Sequence, residues 1–188
     1  MDLTVSIVAA VLLSPLLLLT AIAIKLDSSG PVLFRQMRQG FNNEAIEVYK
    51  FRTMIHRPQV TAFRQATHND ERVTRIGRIL RATNIDELPQ LLNVLIGNMS
   101  VVGPRPHVIE HNEMYVESIK LMSRRHIVKP GITGWAQVNG FRGETNTHEK
   151  MLSRVEYDLY YVDNWSFFFD IKILLMTVLY KKAYTNAY

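Results

Sequence analysis

The sequence contains no cysteine among its 188 residues. Disulfide bonds, cysteine-ligated zinc sites and a thiol nucleophile are therefore excluded. The phosphate loops GxxxxGK[S/T] and GxGxxG and the hydrolase motif GxSxG are also absent, which excludes the standard nucleotide loops and the nucleophile elbow. The length fits one domain with a substantial core. The formal net charge of +5 predicts anionic partners such as membrane lipid, phosphorylated ligands or nucleic acid.

A long stretch without any charged residue runs from Leu3 to Ile24. It is long enough to cross a bilayer core of roughly 30 Å. The chain starts with Met1-Asp2 rather than with basic residues, so the stretch is not typical of a cleavable signal peptide. Lys25 follows directly, and this slight charge bias predicts that the rest of the chain lies in the cytoplasm.

Ser14 and Pro15 lie near the middle of this stretch. Proline removes a backbone donor and bends a helix, and the Ser14 hydroxyl can bind the carbonyl that is left without a donor. Two geometries follow: a kinked helix that spans the membrane, or a helix that dips in and returns to the same face. The residues alone favour the span because the length fits.

The remaining chain predicts short strands among helices. Strands are predicted at 32–38 and 45–51, a loop at 55–71, and helices at 70–83, 86–98, after the turn at 104–106, and at 147–162. The glycine-rich stretch 129–143 predicts loop with little regular structure. The aromatic stretch 164–184 suits an amphipathic helix in the membrane interface, with an ordinary core helix as the alternative.

Asp86 and Glu87 form an acidic pair at the predicted start of the 86–98 helix. One explanation is helix capping by Asp86. The other is a nucleophile and a metal ligand in a phosphate-binding site. Basic residues come just before the pair: Arg72, Arg75, Arg78 and Arg81.

Other basic side chains lie near turns or helix ends. Arg105 stands between Pro104 and Pro106, and this rigid setting suits a fixed guanidinium fork against phosphate. The remaining basic candidates could bind phosphate or lipid headgroups: Lys50, Arg52, Arg75, Arg78 and Arg81.

His107, Glu110 and His111 match the H-x-x-E-H signature of inverted zinc peptidases. The match is short, and two surface histidines at the start of a helix explain it more simply. A zinc peptidase is therefore kept only as an alternative, together with a non-catalytic basic module that binds membrane or nucleic acid.

Several long segments, in this order, resemble the bacterial sugar transferases, which are monotopic polyprenyl-phosphate phosphoglycosyl transferases. They are GPVLFRQMRQG, YKFRTM, DELPQLLNVLIGNMSVVGPRP, KPGITGWAQVNG and YDLYYVDNWSFFFDIKILL. GWAQVNGFRGET and PRPHVIEHNE look closest to the undecaprenyl-phosphate glucose phosphotransferase branch. The resemblance covers nearly the whole chain.

The resemblance implies a compact α/β domain associated with the bacterial inner membrane and facing the cytoplasm. Residues 1–26 would form a re-entrant helix broken at Ser14-Pro15, which replaces the span favoured above. Residues 27–188 would form the catalytic domain, ending in an amphipathic helix. Family members often carry a long N-terminal part and basic residues before the position of Asp2, so the sequence fits either a minimal member or an excerpt.

The resemblance also implies a reaction: sugar-1-phosphate moves from a UDP-sugar to undecaprenyl phosphate and UMP is released. Asp86 would be the nucleophile, and Glu87 would bind magnesium (Mg2+). UDP-glucose is the leading donor and UDP-galactose the next. Anionic lipid is a further expected partner, nucleic acid is not, and a homo-oligomer is left open. The expected substrate-binding residues are Lys50, Arg52, Arg75, Arg78, Arg81, Pro104, Arg105, Pro106 and Asp158.

Overall fold

The structure is a computed structural model that describes residues 1–56, 67, 70–143, 145 and 147–180. Most of the loop predicted at 55–71 and the last part of the helix predicted at 164–184 lie outside the described residues. The helices are α1 (Asp2–Asp27), α2 (Arg75–Thr83), α3 (Gln90–Ile96), α4 (Ile109–Val116), α5 (Trp135–Val138), α6 (His148–Asp163) and α7 (Phe167–Leu179). The strands are β1 (Leu33–Gln39), β2 (Ala45–Phe51), β3 (Ser100–Val102) and β4 (Gly131–Thr133).

The first two strands form the predicted hairpin. β1 and β2 pair antiparallel, with Leu33 opposite Phe51 and Gln39 opposite Ala45. The turn between them contains Asn42 at φ 51° and Asn43, which also has a positive φ. Asparagine tolerates this left-handed region better than most residues, so the local sequence suits the turn. The two strand predictions are confirmed.

The second sheet was not predicted. β3 and β4 pair in parallel, and α5 follows β4, so the prediction of little regular structure at 129–143 is wrong. The glycines there allow a close approach of two segments instead of simply making loop. A Cβ on Gly131 would lie 2.1 Å from the backbone nitrogen of Gly103, so no side chain fits at that position.

One hydrophobic cluster joins most of the elements. It combines Val48 of β2, Val94 of α3, Val102 of β3, Tyr161 of α6 and Ile173 of α7, all almost completely buried. Burying an aliphatic side chain of this size stabilises the fold by about 1.5–3 kcal/mol. The cluster therefore fixes both sheets and the last two helices relative to one another.

The N-terminal helix is continuous through Pro15 over its 26 residues. Pro15 cannot donate to the Val11 carbonyl, and the Ser14 hydroxyl donates to that carbonyl instead at 2.8 Å. The predicted use of Ser14 is thus confirmed, while the predicted break does not interrupt the helix. This compensation explains how the helix tolerates proline in its interior.

Both ends of α1 contact the rest of the domain. The Asp2 carboxylate accepts a hydrogen bond from the Val101 backbone at 3.3 Å. At the other end, Arg52 donates to the carbonyls of Ser28 (2.7 Å) and Ser29 (2.6 Å) just beyond the helix. The outward face is apolar and exposed, with Leu3, Ile7, Val8, Val11, Leu12, Leu16, Leu18, Leu19, Ile22 and Leu26. By length and composition alone, α1 could cross a membrane.

Candidate active site

The acidic pair lies in a 3₁₀ turn between two helices. α2 begins at Arg75 after Thr74, whose side chain accepts from the Gly77 backbone at 2.9 Å. The turn Ile85–Glu87 follows, and α3 begins only at Gln90 with no side-chain cap. Both helices therefore start four or five residues later than predicted. The prediction that Asp86 caps α3 is therefore wrong, and the Asp86 carboxylate is available for another role.

Glu87 is buried and holds three cationic side chains from separate segments. Lys50 Nζ lies 2.6 Å from its Oε1. Arg105 reaches both oxygens, with Nη2 2.6 Å from Oε1 and Nη1 3.2 Å from Oε2. Arg142 Nη2 lies 2.5 Å from Oε2. The charges converge on one carboxylate, so the site carries a net positive charge even with Asp86 ionised.

This convergence shifts the acid–base properties of the cluster. Burial alone would raise the pKa of Glu87, but the positive charges of Arg105, Lys50 and Arg142 outweigh it and hold that pKa well below its usual range. Burial lowers the pKa of Lys50 to about 8, although Glu87 opposes the shift. Glu87 is thus a permanent anion, and Lys50 titrates near neutral pH.

Asp86 has a different environment from its neighbour. Its side chain is half-buried and accepts no hydrogen bond within the described residues. Burial and the negative charge of Glu87 raise its pKa, and the charges of Lys50, Arg81 and Arg142 only partly offset the rise. A carboxylate that lies among cationic side chains and accepts no hydrogen bond from the described residues can attack an electrophile without first losing stabilising contacts.

The structure brings together only some of the predicted substrate-binding residues. Lys50 and Arg105 meet at Glu87, and Arg81 lies near Asp86 with its Nε donating to Thr53 Oγ1 at 2.9 Å. Pro104 and Pro106 are buried on either side of Arg105.

Other members of that predicted set lie elsewhere. The Arg52 guanidinium binds carbonyls at the end of α1, so its contacts give no support to a substrate-binding role. Arg75 and Arg78 are exposed on α2, and the described contacts of the acidic pair include neither. Asp158 is fully buried and paired with Arg125, whose Nη2 lies 2.6 Å from Asp158 Oδ2, so its contacts give no support to direct substrate binding.

Arg142 is the site residue that sequence reasoning missed. It lies in the stretch after α5 that was predicted to be glycine-rich loop, and it provides one of the three cations on Glu87. The available signal was an arginine between an aromatic residue and a glycine in GFRG. Local spacing alone does not relate that arginine to Glu87, which is 55 positions earlier.

The alternative zinc site does not form. His107 and His111 lie close together, with ring centroids 5.7 Å apart, but Glu110 is exposed while both histidines are buried. Arg125 Nη1 lies 2.6 Å from His107 Nδ1, which places a positive charge where a zinc ion would bind. Among the described residues, no three metal-ligating side chains are grouped around a common point.

The arrangement of Glu87 does not fit the magnesium ion that the resemblance implies. Both carboxylate oxygens are bound by Lys50, Arg105 and Arg142, so an added cation would find three positive neighbours. Magnesium is usually bound by one or two carboxylates together with substrate phosphates. In the structure, Glu87 instead orients three cationic side chains.

Fold and site together define a mixed helix-and-strand domain in which cationic side chains cluster around two adjacent carboxylates, with an exposed apolar helix at its N-terminus. The chain belongs to the bacterial sugar transferase family, whose model matches residues 1–182.

Similar proteins with assigned names support this membership. The chain is 52% identical over 185 residues to the UDP-glucose:undecaprenyl-phosphate glucose-1-phosphate transferase of Escherichia coli K12, covering 98% of this chain and 39% of that protein. Identity to the protein of the same name from Klebsiella pneumoniae is 54% over 177 residues, or 94% and 38% of the two chains. The UDP-N-acetylgalactosamine-undecaprenyl-phosphate N-acetylgalactosaminephosphotransferase of Aeromonas hydrophila is 41% identical over 179 residues, or 95% and 42%. The chain thus spans about two fifths of the length of these relatives.

Proposed function

We propose that this domain transfers a sugar-1-phosphate from a UDP-sugar to undecaprenyl phosphate and releases UMP. The observation that carries the proposal is the half-buried Asp86 carboxylate beside a Glu87 that gathers three cations. An anion-binding pocket with an adjacent nucleophile is what phosphoryl transfer requires. The two relatives named for UDP-glucose make glucose the leading sugar, and the Aeromonas relative uses a different one by name.

The proposed reaction has two displacements at one phosphorus atom. An Asp86 oxygen forms a bond to the β-phosphorus, and the bond from that phosphorus to the bridging oxygen breaks, so UMP leaves with the bridging oxygen. An oxygen of undecaprenyl phosphate then attacks the same phosphorus, and the Asp86 carboxylate is regenerated. Covalent catalysis of this type divides one difficult transfer into two steps and gives ping-pong kinetics.

Lys50, Arg105 and Arg142 are the proposed ligands of the donor phosphates. Each is already oriented by Glu87, so little side-chain entropy is lost when the donor arrives. Arg105 offers a planar fork that suits two phosphate oxygens. Positive charge at this position also offsets the repulsion between Asp86 and the anionic donor.

A magnesium requirement stays a prediction. Because both oxygens of Glu87 are bound by cationic side chains, neither step of the proposed reaction involves a metal ligated by Glu87. The requirement is tested by measuring UMP release after chelation and after adding back magnesium or zinc separately. Recovery with magnesium alone would support the transferase and contradict a zinc peptidase.

The contacts of α1 support a position at the cytoplasmic face of the inner membrane rather than a span, and the helix keeps this position without a break at Pro15. A 26-residue helix is about 39 Å long. If α1 crossed the membrane, one of its ends would therefore lie far from the rest of the domain. Here Asp2 and Arg52 tie both ends to the same domain. The exposed apolar residues on the outer face of α1 would then contact lipid.

The test of the proposed function uses purified protein, undecaprenyl phosphate and a panel of UDP-sugars, with UMP release as the readout. We expect turnover with one or few donors, UDP-glucose first. Incubation with the donor but no acceptor should add one sugar phosphate to the peptide that contains Asp86. If full turnover occurs and this adduct never forms, direct transfer in a ternary complex replaces the covalent mechanism.

A further inference from the structure

Two arginines, the buried Arg125 and the half-buried Arg38, hold the backbone of the turn that carries Arg105. Arg125, from the segment Met122–Ile127, donates Nη2 to the carbonyl of Arg105 at 2.7 Å. Arg38, from β1, donates Nη1 to the carbonyl of Pro106, also at 2.7 Å. Because the guanidinium groups bind backbone, they fix the direction in which the Arg105 side chain leaves the turn.

A third arginine, the buried Arg154, holds the segment that carries Arg142 in the same manner. Arg154, on α6, donates Nε to the carbonyl of Phe141 at 2.8 Å and Nη2 to the carbonyl of Gly143. These two carbonyls flank Arg142 directly. The Arg142 side chain therefore reaches Glu87 from a backbone that is bound on both sides.

Asp158 on α6 connects the two arrangements. Its Oδ2 accepts from Arg125 at 2.6 Å, and Arg154 lies one helical turn earlier on the same helix. Asp158 and Arg125 are each about 1% exposed, and Arg154 is about 5% exposed. Buried guanidinium groups are costly unless a carboxylate compensates them, and the charge of Asp158 acts on both arginines.

We propose that Asp158 is a positioning residue that sets the direction of both proposed phosphate ligands. It holds Arg105 through its contact with Arg125, and its charge, one helical turn from Arg154, compensates the buried cation that holds the backbone around Arg142. Asp158 itself contacts neither substrate nor the reacting atoms. The inference rests on the proposed function only for the role that Arg105 and Arg142 have in binding the donor.

The first test compares two aspartates of α6. Asp158→Asn keeps the shape of the side chain and removes its charge. Asp163→Asn is the matched control, because Asp163 accepts from Arg124 at 2.5 Å in an exposed ion pair between the same two elements. We expect kcat/KM for the UDP-sugar to fall about 10- to 100-fold in the first variant, as for a small displacement of catalytic groups. The control should change less than about twofold.

The second test separates positioning from general loss of structure. Arg125→Lys and Arg154→Lys are each combined with Arg105→Ala and with Arg142→Ala. The effect of Arg125→Lys should nearly disappear in the Arg105→Ala background and persist in the Arg142→Ala background. The effect of Arg154→Lys should show the opposite pattern, since residues that act through a shared partner are not additive.

The crossed pattern decides the proposal even if Asp158→Asn fails to fold. Equal effects of each lysine variant in both backgrounds would mean a general structural role and would overturn it. An Asp158→Asn variant that folds with unchanged kcat/KM would overturn it as well. The unmodified protein tests the proposed function separately. If it releases no UMP, the same single and double variants are compared by their affinity for UDP. A lack of both turnover and UDP binding would contradict the proposed function and this inference together.

Discussion

At the scale of single residues, Asp86 provides the sharpest test of the proposed reaction. Asp86→Asn should abolish UMP release, by about 1,000-fold or more, because the amide cannot form the acyl phosphate. The folded-state pKa of Asp86 is raised, so the folded chain binds a proton more tightly than the unfolded chain does. Ionised Asp86 therefore lowers stability at neutral pH, and the variant should melt at a higher temperature at pH 7.

Both readouts are measured on the same preparation, with UMP release for activity and thermal unfolding in detergent for stability. Asp163→Asn, at an exposed position of α6, is the control for a generic loss of negative charge. Near-normal turnover in Asp86→Asn would rule out Asp86 as the nucleophile and favour direct transfer from donor to acceptor.

Lys50 should give the reaction an alkaline limit. Its pKa is lowered to about 8 by burial, so its positive charge is present below that pH and lost above it. If Lys50 binds the donor phosphates, kcat/KM for the UDP-sugar should fall above about pH 8. In Lys50→Arg the side chain keeps its charge throughout this range, so the fall of kcat/KM near pH 8 should disappear.

The comparison variant is Lys120→Arg, because Lys120 is exposed and far along the chain from the site. It should keep the profile of the unmodified protein. If kcat/KM of Lys50→Arg still fell near pH 8, the titration would belong to another group.

Arg105 should contribute to donor binding through its fork of two nitrogens. Arg105→Ala should cost about 1.5–3 kcal/mol in kcat/KM at low donor concentration, or about 10- to 150-fold, as for lost hydrogen bonds to charged groups. Arg124→Ala provides the control, because Arg124 forms an exposed ion pair with Asp163. An unchanged rate at low donor concentration would contradict the role.

At the scale of elements, the geometry of α1 depends on Ser14 and Pro15. Pro15→Leu restores the backbone donor and should favour a straight span, since the Val11 carbonyl no longer needs the Ser14 hydroxyl. A label at Met1 should be reachable from the cytoplasmic side in the unmodified protein and partly from the far side in the variant. Leu18→Ile, on the exposed face, should leave the labelling unchanged. Labelling of the unmodified protein only from the far side would contradict the re-entrant position.

At the scale of the whole molecule, the exposed face of α1 predicts tight binding to lipid. The protein should sediment with vesicles, and about 1 M salt should not release it, because salt screens charges but leaves apolar contacts intact. Detergent should release it. The double variant Leu12→Lys and Leu19→Lys should release it more easily, since a lysine within hydrocarbon costs about 2.5–3.5 kcal/mol.

Glu113→Lys serves as the control for added positive charge, because Glu113 is exposed on α4. It should leave the sedimented fraction unchanged. Release of the unmodified protein by salt alone would show that charge rather than apolar contact holds it to the vesicles. Cross-linking in the same vesicles would test the homo-oligomer, which stays a prediction.

The accuracy of the sequence predictions followed the range of the interactions involved. The predictions of a hairpin, of a helix that ends close to residue 98 and of a helix at 147–162 agree with the structure, because each depends on neighbouring residues; Gly97 caps the end of α3. The starts of α2 and α3 were wrong because Thr74 and Pro89, rather than the acidic residues, occupy the N-cap positions. The β3–β4 sheet was missed because two strands of three residues leave no periodic signal.

The basic residues show the same division within the site. Their spacing indicated an anion-binding site but did not separate its members from structural arginines. Arg52 binds the end of α1, whereas Lys50, two residues earlier, reaches Glu87. Arg105 was found because two prolines mark it, and Arg142 was missed because its neighbours predict only loop.

By itself the sequence determined the apolar helix at the N-terminus, the acidic pair at Asp86 and Glu87, and the rigid turn around Arg105. These depend on composition and on contacts between near neighbours, which local physics controls. Only the tertiary structure decided that Lys50, Arg105 and Arg142 meet on Glu87. It also decided that the Asp86 carboxylate accepts no hydrogen bond from the described residues, and that Asp158 pairs with the buried Arg125. Those arrangements result from long-range packing and from the need to compensate buried charge, neither of which residue spacing records.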